Sequence, residues 1–133
     1  MPRARAHSSG AAGSLFCHPP IPRFELTGGL IRSPSLGQAL AAALGDALAI
    51  LLPQHGIVTV GPDLPAAVMT AVLLDRACRT QLTAMAAGPP RAWGHEADTI
   101  AKRADVWSPK QLQAGYEYLL RQSPSPSSID GVT

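Results

Sequence analysis

Residues 44–88 read LGDALAILLPQHGIVTVGPDLPAAVMTAVLLDRACRTQLTAMAAG, and this stretch decides the fold. Ala47 to Leu52 is a short, wholly apolar run. Ile57 to Val60 is a second, β-branched throughout. Each is too short for a core helix, and Pro53 and Gly56 punctuate them. The pair reads as two buried strands joined by the four-residue loop Pro53-Gln54-His55-Gly56. Apolar runs this short also admit a helical reading. Gly61-Pro62-Asp63 is a turn followed by an N-cap, and Pro65 falls in a first helical turn, where its missing N–H costs little. From there Leu64, Val68, Ala71, Val72, Leu74, Ala77, Cys78 and Leu82 form a helical stripe. Asp75, Arg76, Arg79 and Gln81 take the other face, and Gly88-Pro89-Pro90 ends the helix.

Upstream, Ser33-Pro34-Ser35 marks a helix start. Leu36, Leu40, Ala43 and Leu44 then share one face of a helix from about Ser35 to Leu44, with Gly45 in the C′ position. Phe24 to Ile31 has room for a short strand ended by Gly28-Gly29. Residues 1–22 hold little periodicity, and Pro19, Pro20 and Pro22 forbid regular helix, so an irregular or disordered arm is expected there. Downstream, His95 to Arg103 reads as a short helix. Ser108-Pro109-Lys110-Gln111 opens a last one, with Ser108 as cap, Pro109 at N1 and Gln111 at the capping-box position. It runs to about Arg121, with Leu112, Tyr116, Leu119 and Leu120 on its apolar side. Residues 123–133 are Ser/Pro-rich and polar, a composition that cannot build a core. The expected organisation is therefore an arm over 1–22, one partial domain over 23–122 and a disordered tail over 123–133.

Eleven basic residues against nine acidic ones give a formal charge of +2, too even a balance for nucleic acid or an anionic membrane as partner. The longest apolar stretch, Ala39 to Leu52, is broken by Gly45 and Asp46, short of a membrane span. The N-terminus has arginines but no continuous apolar run of the secretory kind, so the expectation is a cytoplasmic protein. The two cysteines, Cys17 and Cys78, lie in no CxxC spacing and read as free thiols, Cys78 packed inside its helix.

The segment Leu44–Gly88 resembles the C-terminal half of class II aldolase/adducin family proteins. Their pattern is an apolar strand, a His-Gly turn, a second strand ending in glycine, then a long helix. Here those parts are Ala47–Leu52, His55-Gly56, Ile57–Gly61 and Asp63–Ala87. The resemblance implies an α/β fold, part of an α/β/α sandwich around a mainly antiparallel sheet, with the N-terminal half incomplete. It also implies metal-dependent lyase chemistry on sugar phosphates or similar hydroxy-carbonyl compounds, and a homo-oligomer, although the family includes the non-enzymatic adducin. Family enzymes hold a divalent metal, usually Zn2+, on three histidines. Two come from a His-x-His motif, and the third belongs to the His-Gly turn, which makes His55 the metal-ligand candidate of this chain.

The sequence departs from the pattern elsewhere. It has no Gly-Asn-x-Ser phosphate loop and no His-x-His; His7, His18 and His95 stand isolated. Glu25 lies too late to match the family's acid/base glutamate, and Gln54 stands where asparagine is common. A catalytic zinc takes three protein ligands and keeps a position open for substrate or water, acting as a Lewis acid on a carbonyl. One imidazole does not meet that need. The expectation is a truncated aldolase-like chain that is not catalytic alone, related to lyases that cleave small hydroxy-carbonyl substrates. The alternative is a non-catalytic interaction module or remnant with the same half-fold. His55 also has a plain reading as a solvated turn residue. Tyr116 and Tyr118 read as core or interface packing, Trp93 and Trp107 as gap fillers, and Asp75, Arg76 and Arg79 as a solvated helix face.

Overall fold

A computed structural model describes residues 13–16, 19–89 and 94–124. Cys17, His7, His18, Trp93 and residues 125–133 of the expected tail lie outside the described residues. A 3-10 turn at Ser14–Phe16 comes first. It is followed by α1 (Pro34–Leu44), β1 (Ala49–Leu52), β2 (Gly56–Thr59), α2 (Leu64–Ala86), α3 (Glu96–Val106) and α4 (Pro109–Gln122). The chain is mixed α/β, with one two-stranded antiparallel sheet among the described residues.

The hairpin forms where the two apolar runs predict it, with Ala49 opposite Thr59, Ile50 opposite Val58, Leu51 opposite Ile57 and Leu52 opposite Gly56. Its loop is one residue shorter than expected, because Gly56 pairs with Leu52 and joins β2. The strands are not equally buried. Ala49 and Ile50 are fully enclosed, while Gly56 and Ile57 are exposed, so β2 corrects the expectation of two buried strands. The free edge of β1 is used by the lead-in. Phe24 N–H donates to the Leu51 carbonyl at 2.9 Å, Leu51 N–H donates to the Pro22 carbonyl at 3.0 Å, and Arg23 makes a parallel bridge to Leu51. The extended stretch thus centres on residues 22–24, and Phe24 ends up buried. No strand follows between Phe24 and Ile31.

Helix starts follow local chemistry closely. Ser33, Asp63 and Ser108 each accept a hydrogen bond from the third residue beyond, and each is followed by a proline in the first turn. Gly45 closes α1 at φ 54°, a positive-φ conformation that a residue with a Cβ rarely adopts. α3 is capped by His95 without a side-chain bond and runs on to Val106, beyond the expected Arg103.

The core joins Leu15, Phe16, Ala49, Met69, Leu73, Leu74 and Ala77, and Ile21, Leu48, Trp107, Leu112, Tyr116 and Leu119 pack against it. Leu15 and Phe16 come from the stretch expected to be a loose arm. Two large apolar side chains that reach a shared interior each contribute about 1.5–3 kcal/mol, enough to hold an irregular segment down. The expected stripe of the long helix is also revised. Leu74 and Ala77 are buried, but the other buried residues of α2 are Ala66, Met69, Thr70 and Leu73, while Leu64, Val72, Cys78 and Leu82 are exposed. The first half of α2 is apolar almost all round, so periodicity alone does not choose a face. Packing against α4 and β2 chooses it. Leu120, placed on the apolar side of α4, is likewise exposed.

Candidate functional site

The hairpin tip is built from residues that dictate a tight turn. His55 N–H donates to the Leu52 carbonyl at 2.9 Å, closing a four-residue turn with Pro53 and Gln54 at its centre. Proline's fixed φ suits the first central position. Gln54 at φ 69° takes the left-handed second position, a type II arrangement in which Gly or Asn is preferred. Gly56 at φ 130° then returns the chain to the ladder. His55 is carried between these two unusual backbone positions and stands exposed.

Its imidazole is engaged. His55 Nε2 donates a short hydrogen bond to the Gly28 carbonyl, 27 residues away in sequence. A carbonyl only accepts, so Nε2 carries the proton in this arrangement. Sequence reasoning singled out His55 and missed Gly28. The Gly28-Gly29 pair reads as a strand terminator, and nothing in the local pattern says that its carbonyl meets a side chain from the hairpin.

Three or more His, Cys, Asp or Glu side chains would be needed to hold a metal, and no such group comes together among the described residues. Among the described residues His55 belongs to no cluster of three such donors, and its Nε2 is already spent on Gly28. The described residues therefore do not by themselves fit the family's three-histidine metal. His95, the other described histidine, caps α3 and is exposed.

A second feature is an open groove between α2 and α4, with Met69, Val72, Leu73, Trp107, Tyr118 and Leu119 among its walls and Asp75, Arg76 and Arg79 also lining it. Arg79 Nε donates to Asp75 Oδ2 at 2.7 Å, one helical turn apart. That hydrogen bond, then the carboxylate's charge, raise the guanidinium above its ordinary range. Both side chains are largely exposed, so the pair contributes little to stability. His55 does not line this groove. Of the two C-terminal tyrosines, Tyr116 packs against the core and Tyr118 is exposed.

The antiparallel hairpin, its His-Gly tip and the long helix that follows define a class of protein. Residues 8–82 match the family model described as Class II Aldolase and Adducin N-terminal domain, which is more than half of the chain, and the chain belongs to the class II aldolase/adducin family. Two bacterial relatives stand beside that match. The protein named Decarboxylase NovR, from Streptomyces niveus, is 47% identical over 62 residues, covering 47% of this chain and 23% of that relative. A protein from Streptomyces roseochromogenus subsp. oscitans, named 4-hydroxy-3-prenylphenylpyruvate oxygenase/4-hydroxy-3-prenylbenzoate synthase, is 47% identical over 60 residues, covering 45% of this chain and 22% of its own length. The matched stretch thus spans less than a quarter of either relative. The family match begins inside the stretch expected to be an arm and ends within α2, so α3 and α4 lie beyond it.

Proposed function

We propose that this chain is the C-terminal half of a class II aldolase-type domain, part of an α/β/α sandwich, and that it has no catalytic activity alone. In this reading His55 occupies the position of the His-Gly metal ligand, and the remaining donors to a divalent ion such as Zn2+ come from outside this polypeptide. The observation that carries it is the family match over residues 8–82, with a lone exposed imidazole at the hairpin tip that the match includes. The complete site would act as a lyase on a small hydroxy-carbonyl compound such as a sugar phosphate. The name of the Streptomyces niveus relative, a decarboxylase, supports carbon–carbon bond cleavage as the reaction class. In this reading the protein is a cytoplasmic homo-oligomer, as the family resemblance implies, and the even charge balance speaks against nucleic acid or an anionic membrane as partner. Among the described residues no helix is long and apolar enough to cross a membrane.

The test is turnover by the purified chain supplied with zinc, using a ketose 1-phosphate and a 2-oxo acid. The expected result is none. Cleavage that disappears in His55→Ala would overturn the claim that the chain is inactive alone.

A second reading, a non-catalytic interaction module with the same half-fold, is favoured by the exposed Leu26, Leu30, Leu64, Leu82 and Met85. Activity restored by adding a polypeptide that carries a Gly-Asn-x-Ser loop and a His-x-His motif supports the first reading. Self-association that is indifferent to zinc, with no activity restored, supports the second.

A further inference from the structure

His55 joins two parts of the chain that are distant in sequence, the hairpin tip and the loop around Gly28. The lead-in is fixed to the β1 edge as far as Phe24. α1 begins only after its cap, Ser33. Between these anchors Leu26 and Leu30 are exposed, and Gly29 N–H finds a local acceptor in Thr27 Oγ1 at 2.9 Å. The bond from His55 Nε2 to the Gly28 carbonyl spans from this loop to the hairpin tip. Gln54 also reaches over Gly28, its Oε1 lying 3.9 Å from where a Cβ on Gly28 would stand. Tip and loop therefore meet through His55, with the Gln54 side chain near the same glycine.

We infer that His55 in this chain alone is a latch that pins the 25–32 loop to the hairpin tip, and that Nε2 is unavailable to a metal while the latch is closed. A ring nitrogen that carries a hydrogen has no lone pair in the ring plane, and a metal bond needs that lone pair. Latching and ligation through Nε2 are mutually exclusive. With no cluster of three donors among the described residues, the chain by itself is expected to take up no stoichiometric divalent ion. The inference rests on the contact geometry alone and stands whether or not the aldolase reading of the complete site holds.

The experiment uses the full chain, labelled with nitrogen-15. Long-range proton–nitrogen correlation at about pH 8.5, where an ordinary imidazole is neutral, should show the His55 proton on Nε2. Titration with zinc chloride should show no one-to-one binding. In His55→Ala, backbone order parameters of residues 26–30 should fall from about 0.85 towards 0.6 or below, while those of residues 49–52 and 56–59 stay unchanged. A proton on Nδ1, one-to-one zinc binding that His55→Ala abolishes, or an unchanged loop in His55→Ala would each overturn the latch. If His55→Ala fails to fold, the tautomer and the zinc titration of the unaltered chain still decide the matter.

Discussion

Met69 on α2 and Gly115 on α4 are in such close contact that a Cβ placed on Gly115 would lie 2.7 Å from Met69 Cε. Gly61, where the chain leaves the hairpin, is as tightly enclosed: a Cβ there would meet Ala67 N at 2.7 Å and Ala66 Cβ at 2.8 Å. The two sites differ in what would have to move. The end of a methionine side chain swings aside at little cost, and an alanine inside α4 gains about 1 kcal/mol of helix propensity over glycine. The first turn of α2 is backbone, tied by its Asp63 cap. Gly115→Ala should stay within about 1 kcal/mol of the parent, whereas Gly61→Ala should lose about 1–3 kcal/mol by overpacking. Urea unfolding of the two variants side by side checks this, and equal losses would contradict it.

Gln54 holds its positive φ without the short side chain that makes asparagine tolerant of that region. Gln54→Asn and Gln54→Gly should each raise stability by about 0.5–1 kcal/mol, with glycine's gain reduced by its freer unfolded state. A midpoint that rises in urea with an unchanged slope is the expected signature. A fall in both variants would mean that the Gln54 side chain contributes more over Gly28 than the backbone conformation costs.

Much of this architecture is legible in the sequence, and the legible parts share a cause. Ser33-Pro34, Asp63 with Pro65, and Ser108-Pro109 mark helix starts through bonds made within a few residues, so local pattern suffices. The hairpin is legible because Pro53 and Gly56 interrupt two short apolar runs. What escapes the sequence is set over distance. Phe24 pairs with Leu51, Leu15 and Phe16 reach the core from an irregular stretch, and Gly28 meets His55 across 27 residues. The candidate site follows the same division: the resemblance carried by the His-Gly turn singles out His55, whereas nothing in the sequence points to its partner Gly28.

Cys78 lies on the exposed side of α2, although its apolar neighbours in sequence imply packing. In a Cys17→Ser background, a disulfide reagent should label Cys78 in the native chain at a rate within about threefold of the same chain unfolded in urea, since reactivity follows access and thiolate fraction. Labelling that waits for unfolding would place Cys78 in the interior and rotate α2 away from the arrangement described above.

The same rotation can be tested through two leucines on that helix. Leu73 is 3% exposed and belongs to the shared core, while Leu82, which fits the apolar stripe of the sequence, is 68% exposed. Truncating a buried leucine removes its transfer free energy and leaves a cavity, together about 2–5 kcal/mol. Truncating an exposed one changes stability by about 0.5 kcal/mol or less. Leu73→Ala should therefore cost several times more than Leu82→Ala in denaturant unfolding at matched, low protein concentration. The concentration matters because self-association through Leu82 would add apparent stability that dilution removes. If Leu82→Ala proves the costlier change even at high dilution, the face of α2 that meets α4 has been assigned to the wrong residues.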